Sequence, residues 1–297
     1  MKSGHTANSN KMPMSKIPLL GLQAAQFRHP IDLEATQTLQ QLPGLDWLVR
    51  SLLGSVAEQV FYLENIGSSV LVSERQLPEL HQLLTEACHI LDLEQPQLYV
   101  RQNPTPNAYT LAMRGQQPFI VVHTSLLELL DPPEMQAVLA HELGHLKCEH
   151  GVYLTIANLL VLAAGQLSPF GSLIAQNLQR QLMAWVRCAE FTCDRAGLLV
   201  TQNAKVMASV LMKLAGGSSS LASQLNVDAF IDQARAYDRI DHDLANLLKS
   251  VRTAELTHPL PVLRAREIDR WSDSPMYQSL LQTYAADTDH PLAWKDW

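Results

Sequence analysis

A mainly α-helical chain with one small β-sheet, an α+β fold, is what this sequence predicts, and three observations predict it. Apolar residues recur at a spacing near 3.6 through the first hundred positions and again beyond position 130. Between these stretches lie three short segments rich in Val, Ile, Tyr and Thr, separated by Asn-Pro-Thr-Pro and Arg-Gly-Gln-Gln. The chain has 297 residues, 47% of them apolar and 17% charged, so it can bury a substantial core.

The elements follow in order. Residues 1–30 read as a flexible tail: positions 1–31 hold no Asp or Glu, but carry Lys2, Lys11, Lys16 and Arg28. IPLLGL (17–22) is too short for the apolar core of an export signal, so secretion is not expected. A plain tail is favoured over a plastid-type transit peptide, whose composition it shares loosely. Residues 31–96 are expected to form a helical region packing on the domain that follows, with helical periodicity in ATQTLQQL (35–42), LDWLVRSLLGSVAEQVFYLE (45–64) and QLPELHQLLTEACHILDL (76–93). Strands are expected at QLYVRQ (97–102), NAYTLAM (107–113) and PFIVVH (118–123). Ser125 with Glu128 reads as a capping box opening SLLELL.

A stronger helix starts at Asp131-Pro132-Pro133-Glu134, with proline and an acid in its first turn. Gly151 to Gln179 carries no charge. Its apolar part, 152–167, is broken by SPFG, and a buried helix is favoured over a membrane-dipping helix or a span. Peripheral membrane contact, if the chain makes any, is assigned to residues 152–174. A further helix is expected over roughly 172–200, a flexible loop at GGSSS (216–220), helices up to THPLPVLRAREI (257–268), and an irregular tail at 271–297. The domain proper is placed at 97–270.

The net charge of −7, with no basic patch rich in aromatics, argues against a nucleic-acid binder. Four cysteines in so long a chain are no disulfide framework, and reduced thiols are expected. Cys148 lies seven residues after His141, on its face, and Cys193 sits beside Asp194. Inert core thiols are favoured over an oxidative switch between them.

The chemistry centres on AVLAHELGHLKCEH (137–150). A step of four residues places His141 and His145 one turn apart on one helical face, a spacing that suits two imidazoles on one zinc ion. Glu142 flanks the pair, where a carboxylate can take the proton of an attacking water. Gly144, with no Cβ, allows another backbone to approach the floor of such a site. Farther along, Glu190 and Asp194 are again four apart among apolar neighbours. Buried carboxylates are costly unless paired or metal-bound. Glu190 is the expected third ligand, leaving a position open as catalytic zinc sites do, and Asp194 is expected to orient a ligand histidine. A solvated acidic face paired with Arg187 and Arg195 is the weaker reading.

HELGH, then RCAEFTCD (187–194), then THPLPVLR (257–264), with PNAY (106–109) upstream, resemble the HtpX-like family of zinc metalloendopeptidases, which also contains the CAAX prenyl proteases. The likeness covers roughly residues 75–270 and is nearest to the cyanobacterial and plastid branch. It does not extend to the several long membrane helices of HtpX and the prenyl proteases. The resemblance implies a zincin-like domain built on the HExxH helix. It further implies one zinc ion on His141, His145 and Glu190, Glu142 as general base, and Asp194 behind the ligands. Asn107, Ala108 and Tyr109 would belong to a substrate-binding edge strand, and His258 and Arg264 would approach the developing oxyanion.

The expected function is therefore zinc-dependent endopeptidase action on extended or unfolded protein segments, in turnover or quality control. The cellular location expected is cytoplasmic or organelle-stromal, not secreted, with membrane association left open. A zinc-stabilised, non-catalytic client-binding protein is the alternative. Glu142 argues against it, since a structural site needs no acid there.

Overall fold

The computed structural model describes residues 16–41, 56–112, 117–151, 153–154, 169–237 and 258–288. The expected class holds: a mostly helical chain carries one four-stranded sheet. Its elements are α1 (Ala24–Phe27), α2 (Pro30–Gln40), α3 (Val56–Gly67), β1 (Val70–Leu71), α4 (Pro78–Leu91), β2 (Gln97–Arg101), β3 (Ala108–Leu111) and β4 (Phe119–His123). There follow α5 (Thr124–Leu129), α6 (Pro132–Lys147), α7 (Pro169–Thr201), α8 (Ala204–Gly216), α9 (Val227–Tyr237), α10 (Pro261–Ser272) and α11 (Pro275–Thr288).

The sheet order is β1-β2-β4-β3. β2 and β4 run parallel, while β1 and β3 pair antiparallel on the outside, so β3 is an edge strand. All five residues of β4 are buried, as a central strand covered on both faces requires. One face packs Leu98, Val100, Ile120 and Val122 against Leu84 of α4 and Leu139 and Leu143 of α6. The other packs Tyr99, Phe119 and Val121 against Tyr62 and Ile66 of α3.

α6 begins as expected. The Asp131 side chain accepts the Glu134 N–H at 3.0 Å, and Glu134 accepts the Asp131 N–H at 2.9 Å. This capping box satisfies two donors that a helix start would otherwise leave unpaired. α7 lies along α6 at close quarters: a Cβ at Gly144 would stand 2.9 Å from Ala196 Cβ and 3.0 Å from Cys193 Cα. The expected approach of a second backbone at Gly144 is what the structure has.

Three expectations are corrected. Residues 16–30 are no loose tail: Leu19, Leu22 and Phe27 are fully buried, and the Leu19 N–H donates to the Ile90 carbonyl at 2.9 Å. The tail after 271 contains α11, whose Tyr277 and Tyr284 join the main core. Ser125 caps nothing; α5 starts one residue earlier behind His123, and Ser125 Oγ is buried without a partner among the described residues. The reason is that β4 runs straight into α5, so the last strand residue takes the N-cap position. Residues 42–55, 152, 155–168 and 238–257 lie outside the described ones, and with them most of the expected helix at 45–64 and of the apolar run at 152–174. Among the described residues no helix is long and apolar enough to cross a membrane.

Candidate active site

α6 and α7 bring the predicted residues together. His141, Glu142 and His145 on α6 and Glu190 and Asp194 on α7 are all buried. His141 Nε2 lies 3.3 Å from Glu190 Oε2, and His145 Nε2 lies 3.4 Å from Glu190 Oε1. Glu190 Oε2 is buried and makes no hydrogen bond of good geometry among the described residues, with Arg264 Nη1 standing 3.3 Å away. A buried carboxylate held by one cation at that distance still has room to accept from a second. Atoms bound at ~2.0–2.1 Å around one tetrahedral centre stand about 3.3–3.4 Å apart, and each of the two imidazole–carboxylate contacts has that separation, though to different Glu190 oxygens. The field asks for the same thing. Burial works against charge on His141, yet Glu190 and Asp194 outweigh it and push its pKa up to about 10. A proton or a metal cation at that ring answers the same field.

Another grouping is close enough to hold a metal: His141, His145 and Cys193, whose donor atoms lie within 4.8 Å of one another. Its chemistry is poorer. Burial, then Glu190, hold the Cys193 thiol well above its ordinary range, whereas a ligand sulfur must be a thiolate. Cys193 Sγ also lies 3.8 Å from His150 Nδ1, and that nitrogen faces Nδ1 of His145, the side of the ring away from Glu190. Burial likewise pushes Cys148 up to about 12. Both cysteines are free and buried.

Behind His141, Asp194 Oδ1 is 3.1 Å from Nδ1. Arg264 grips that carboxylate with both edges of its fork, Nε to Oδ2 at 2.8 Å and Nη2 to Oδ1 at 2.6 Å, and its Nη1 is 3.3 Å from Glu190 Oε2. The guanidinium expected at the oxyanion is thus committed to the two acids. His258 stands at the cleft with Nε2 3.5 Å from Glu190 Oε2, its side chain about half exposed (48%).

In front lies a cleft of ≈ 330 Å³. Glu142, His141 and His258 line one part of it, Val138, Val210 and Leu214 another, and Asn107 and Ala108 the rim. The Asn107 carbonyl accepts the His123 N–H at 2.9 Å, so the backbone groups of its successor Ala108 face the open edge of β3. Tyr109 goes elsewhere. Side chains alternate along a strand, and its hydroxyl donates to Asn65 Oδ1 at 2.6 Å on the other face.

Two contacts escaped the sequence reading. Thr110, two residues after Ala108 and so on its face, donates from Oγ1 to Glu142 Oε2 at 2.6 Å. Strand alternation was the signal for it. The other, His150 against His145, comes from the end of α6 and had no motif to announce it.

The family model of Peptidase family M48 matches residues 74–272. The chain is 60% identical over 268 residues to the plastoglobule-localized metallopeptidase 48, chloroplastic, of Arabidopsis thaliana, a match covering 89% of this chain and 78% of that protein. It is 30% identical over 190 residues to protease HtpX homolog 2 of Methanosarcina mazei, covering 54% of this chain and 64% of that one. This chain thus spans less than two thirds of the second relative. A crystal structure of S. mikatae Ste24p, 17% identical, aligns with 81% of this chain and 62% of its own at a TM-score of 0.40, too low to carry an argument.

Proposed function

Because the chain belongs to peptidase family M48 and is a metallopeptidase, we propose that it is a zinc endopeptidase acting on extended or unfolded protein segments. The observation that carries this reading is that Thr110 of the edge strand holds Glu142 at the rim of the cleft. A substrate pairing with the open edge of β3 would bring its own backbone beside that carboxylate. The apolar wall of Val138, Val210 and Leu214 suits the side chains that unfolded segments expose.

His141, His145 and Glu190 would hold the metal. When bound, zinc supplies a Lewis acid that polarises the scissile carbonyl and acidifies water. Glu142 accepts the proton of the attacking water and delivers it to the leaving amine. The Thr110 hydroxyl fixes one Glu142 oxygen, leaving the other to work on the proton. Asp194 holds the His141 ring, and Arg264, bound to Asp194 and Glu190 at the wall of the cleft, positions both acids. His258 is assigned to the developing oxyanion, on the support of its place in the cleft. The name of the Arabidopsis relative, plastoglobule-localized and chloroplastic, supports an organelle location, and co-flotation of the full chain with liposomes tests for membrane contact.

Cleavage of casein by the zinc-loaded chain, beside Glu142→Gln, tests the function. Cleavage by the wild type alone, with equal zinc in both proteins, is the expected result. Equal zinc with no cleavage of any unfolded substrate by either would favour a client-binding protein instead.

A further inference from the structure

The end of α6 folds back on the site. The Glu149 N–H donates to the Leu146 carbonyl at 3.1 Å and the His150 N–H to the His145 carbonyl at 2.9 Å, the Schellman pattern, with Glu149 in the left-handed region at φ 59°. Glycine is the usual residue there, and a glutamate accepts strain. The turn sets the His150 ring against that of His145, Nδ1 to Nδ1 at 3.3 Å.

Beyond His150 stands Asp32 of α2, fully buried, its Oδ2 3.2 Å from His150 Nε2. Asp32 is itself fastened by Thr192 Oγ1 at 2.7 Å, Arg28 Nε at 3.0 Å and Thr36 Oγ1 at 3.1 Å. Trp185 packs edge-on to the His150 ring, with centroids 5.3 Å apart. A buried carboxylate with so many partners, on a helix remote in sequence from the site, has no part in the proton transfers at Glu142.

Proton positions give it one. A histidine that offers Nε2 to a metal carries its proton on Nδ1. His145 turns Nε2 to Glu190, so its Nδ1–H points at His150 Nδ1, which must accept. The His150 proton then sits on Nε2, facing Asp32. Arg28 Nη2, 3.1 Å from the same nitrogen, has an acceptor of its own in the Cys148 carbonyl at 2.7 Å.

We propose that His150 and Asp32 are positioning residues for His145, a two-step relay in which the carboxylate fixes the His150 tautomer and His150 fixes that of the metal-facing imidazole. The proposal rests on the reading that the metal sits between the two imidazoles and Glu190.

The test is zinc affinity of the full-length chain by chelator competition, with the visible spectrum of the cobalt(II)-substituted protein as a second readout. His150→Phe should bind zinc about 10- to 100-fold more weakly, the usual size of such outer-shell losses. His150→Gln, whose amide oxygen can accept from His145 while its N–H₂ donates to Asp32, should stay within about fivefold of wild type and keep the cobalt spectrum. Asp32→Asn, nearly isosteric, should weaken zinc about tenfold, and it decides the matter if His150→Phe does not fold. Wild-type affinity in folded His150→Phe or in Asp32→Asn, or a His150→Gln as weak as the Phe variant, overturns the relay. His141→Ala separates the two layers of the argument. If it binds zinc as tightly as wild type, the metal reading fails; if it loses zinc while His150→Phe does not, only the relay fails.

Discussion

The two imidazoles of the HELGH helix are held from behind in opposite ways. His141 leans directly on a carboxylate, Asp194, which a buried arginine grips at two points. His145 leans on a second imidazole, and the carboxylate comes one ring later, held by two hydroxyls and Arg28. Glu190 already puts one negative charge between the two rings. The difference teaches how such a site balances its charges. A buried acid is tolerable where a cation can be packed against it, as Arg264 is on the His141 flank. On the other flank the second acid, Asp32, also has a cation, Arg28, but an imidazole ring stands between that acid and the ligand histidine and transmits the orientation.

The comparison predicts unequal losses. Asp194→Ala strips the buried Arg264 of its bidentate partner, leaving it only Glu190 as an acidic partner, at 3.3 Å, and should cost about 3–5 kcal/mol of stability, read from urea unfolding. Asp32→Ala should cost less, about 1–3 kcal/mol, because its cationic partner Arg28 is only partly buried and keeps the Cys148 carbonyl as an acceptor. A larger loss at Asp32 would reverse the assignment of the charged flank.

Acid sharpens the contrast. Burial opposes ionisation of Asp32, but His150 and Thr192 outweigh it and lower its pKa from the ordinary 3.8 to about 2. A lowered carboxylate contributes stability that is present in full above its unfolded value and is lost as pH falls through the folded one. Melting curves of the wild type should therefore shed about 2 kcal/mol between pH 4 and pH 2 on this account. Asp32→Asn should be flatter across the same window. An identical acid limb in both proteins would show that Asp32 is not held ionised.

Thr110→Val separates support of the base from support of the ligands. Losing its bond to Glu142 should lower kcat about tenfold, with zinc affinity and KM unchanged. A fall in zinc affinity of the same size would place Thr110 in the metal's support. The smallest effect is expected at Glu149. Replacing it by glycine relieves the left-handed turn and should raise stability by up to about 1 kcal/mol while His150 stays in place. A loss of stability would mean that the Glu149 side chain, not the turn, holds the end of α6.

The His141 flank was legible in the sequence and the His145 flank was not. HELGH and the pair Glu190 and Asp194 announce themselves through a helical period of four, and the start of α6 through Asp131 and its prolines. Asp32, His150 and Thr192 come from three separate segments and meet only because α2 packs against α7 where the end of α6 turns back. Such a cluster has no period. The same applies to Leu19, Leu22 and Phe27, whose irregular spacing read as a tail although all three are core. Ser125 shows the converse: a capping pattern in the sequence, outranked by a strand that leads directly into the helix.

Which groups would hold a zinc ion is measured directly by X-ray absorption at the zinc edge of the zinc-loaded chain. The result predicted is a shell of nitrogen and oxygen at ~2.0–2.1 Å with two imidazoles and no sulfur, as His141, His145 and Glu190 would supply. A sulfur at ~2.3 Å would put Cys193 in the place of Glu190 and contradict the site described for both flanks.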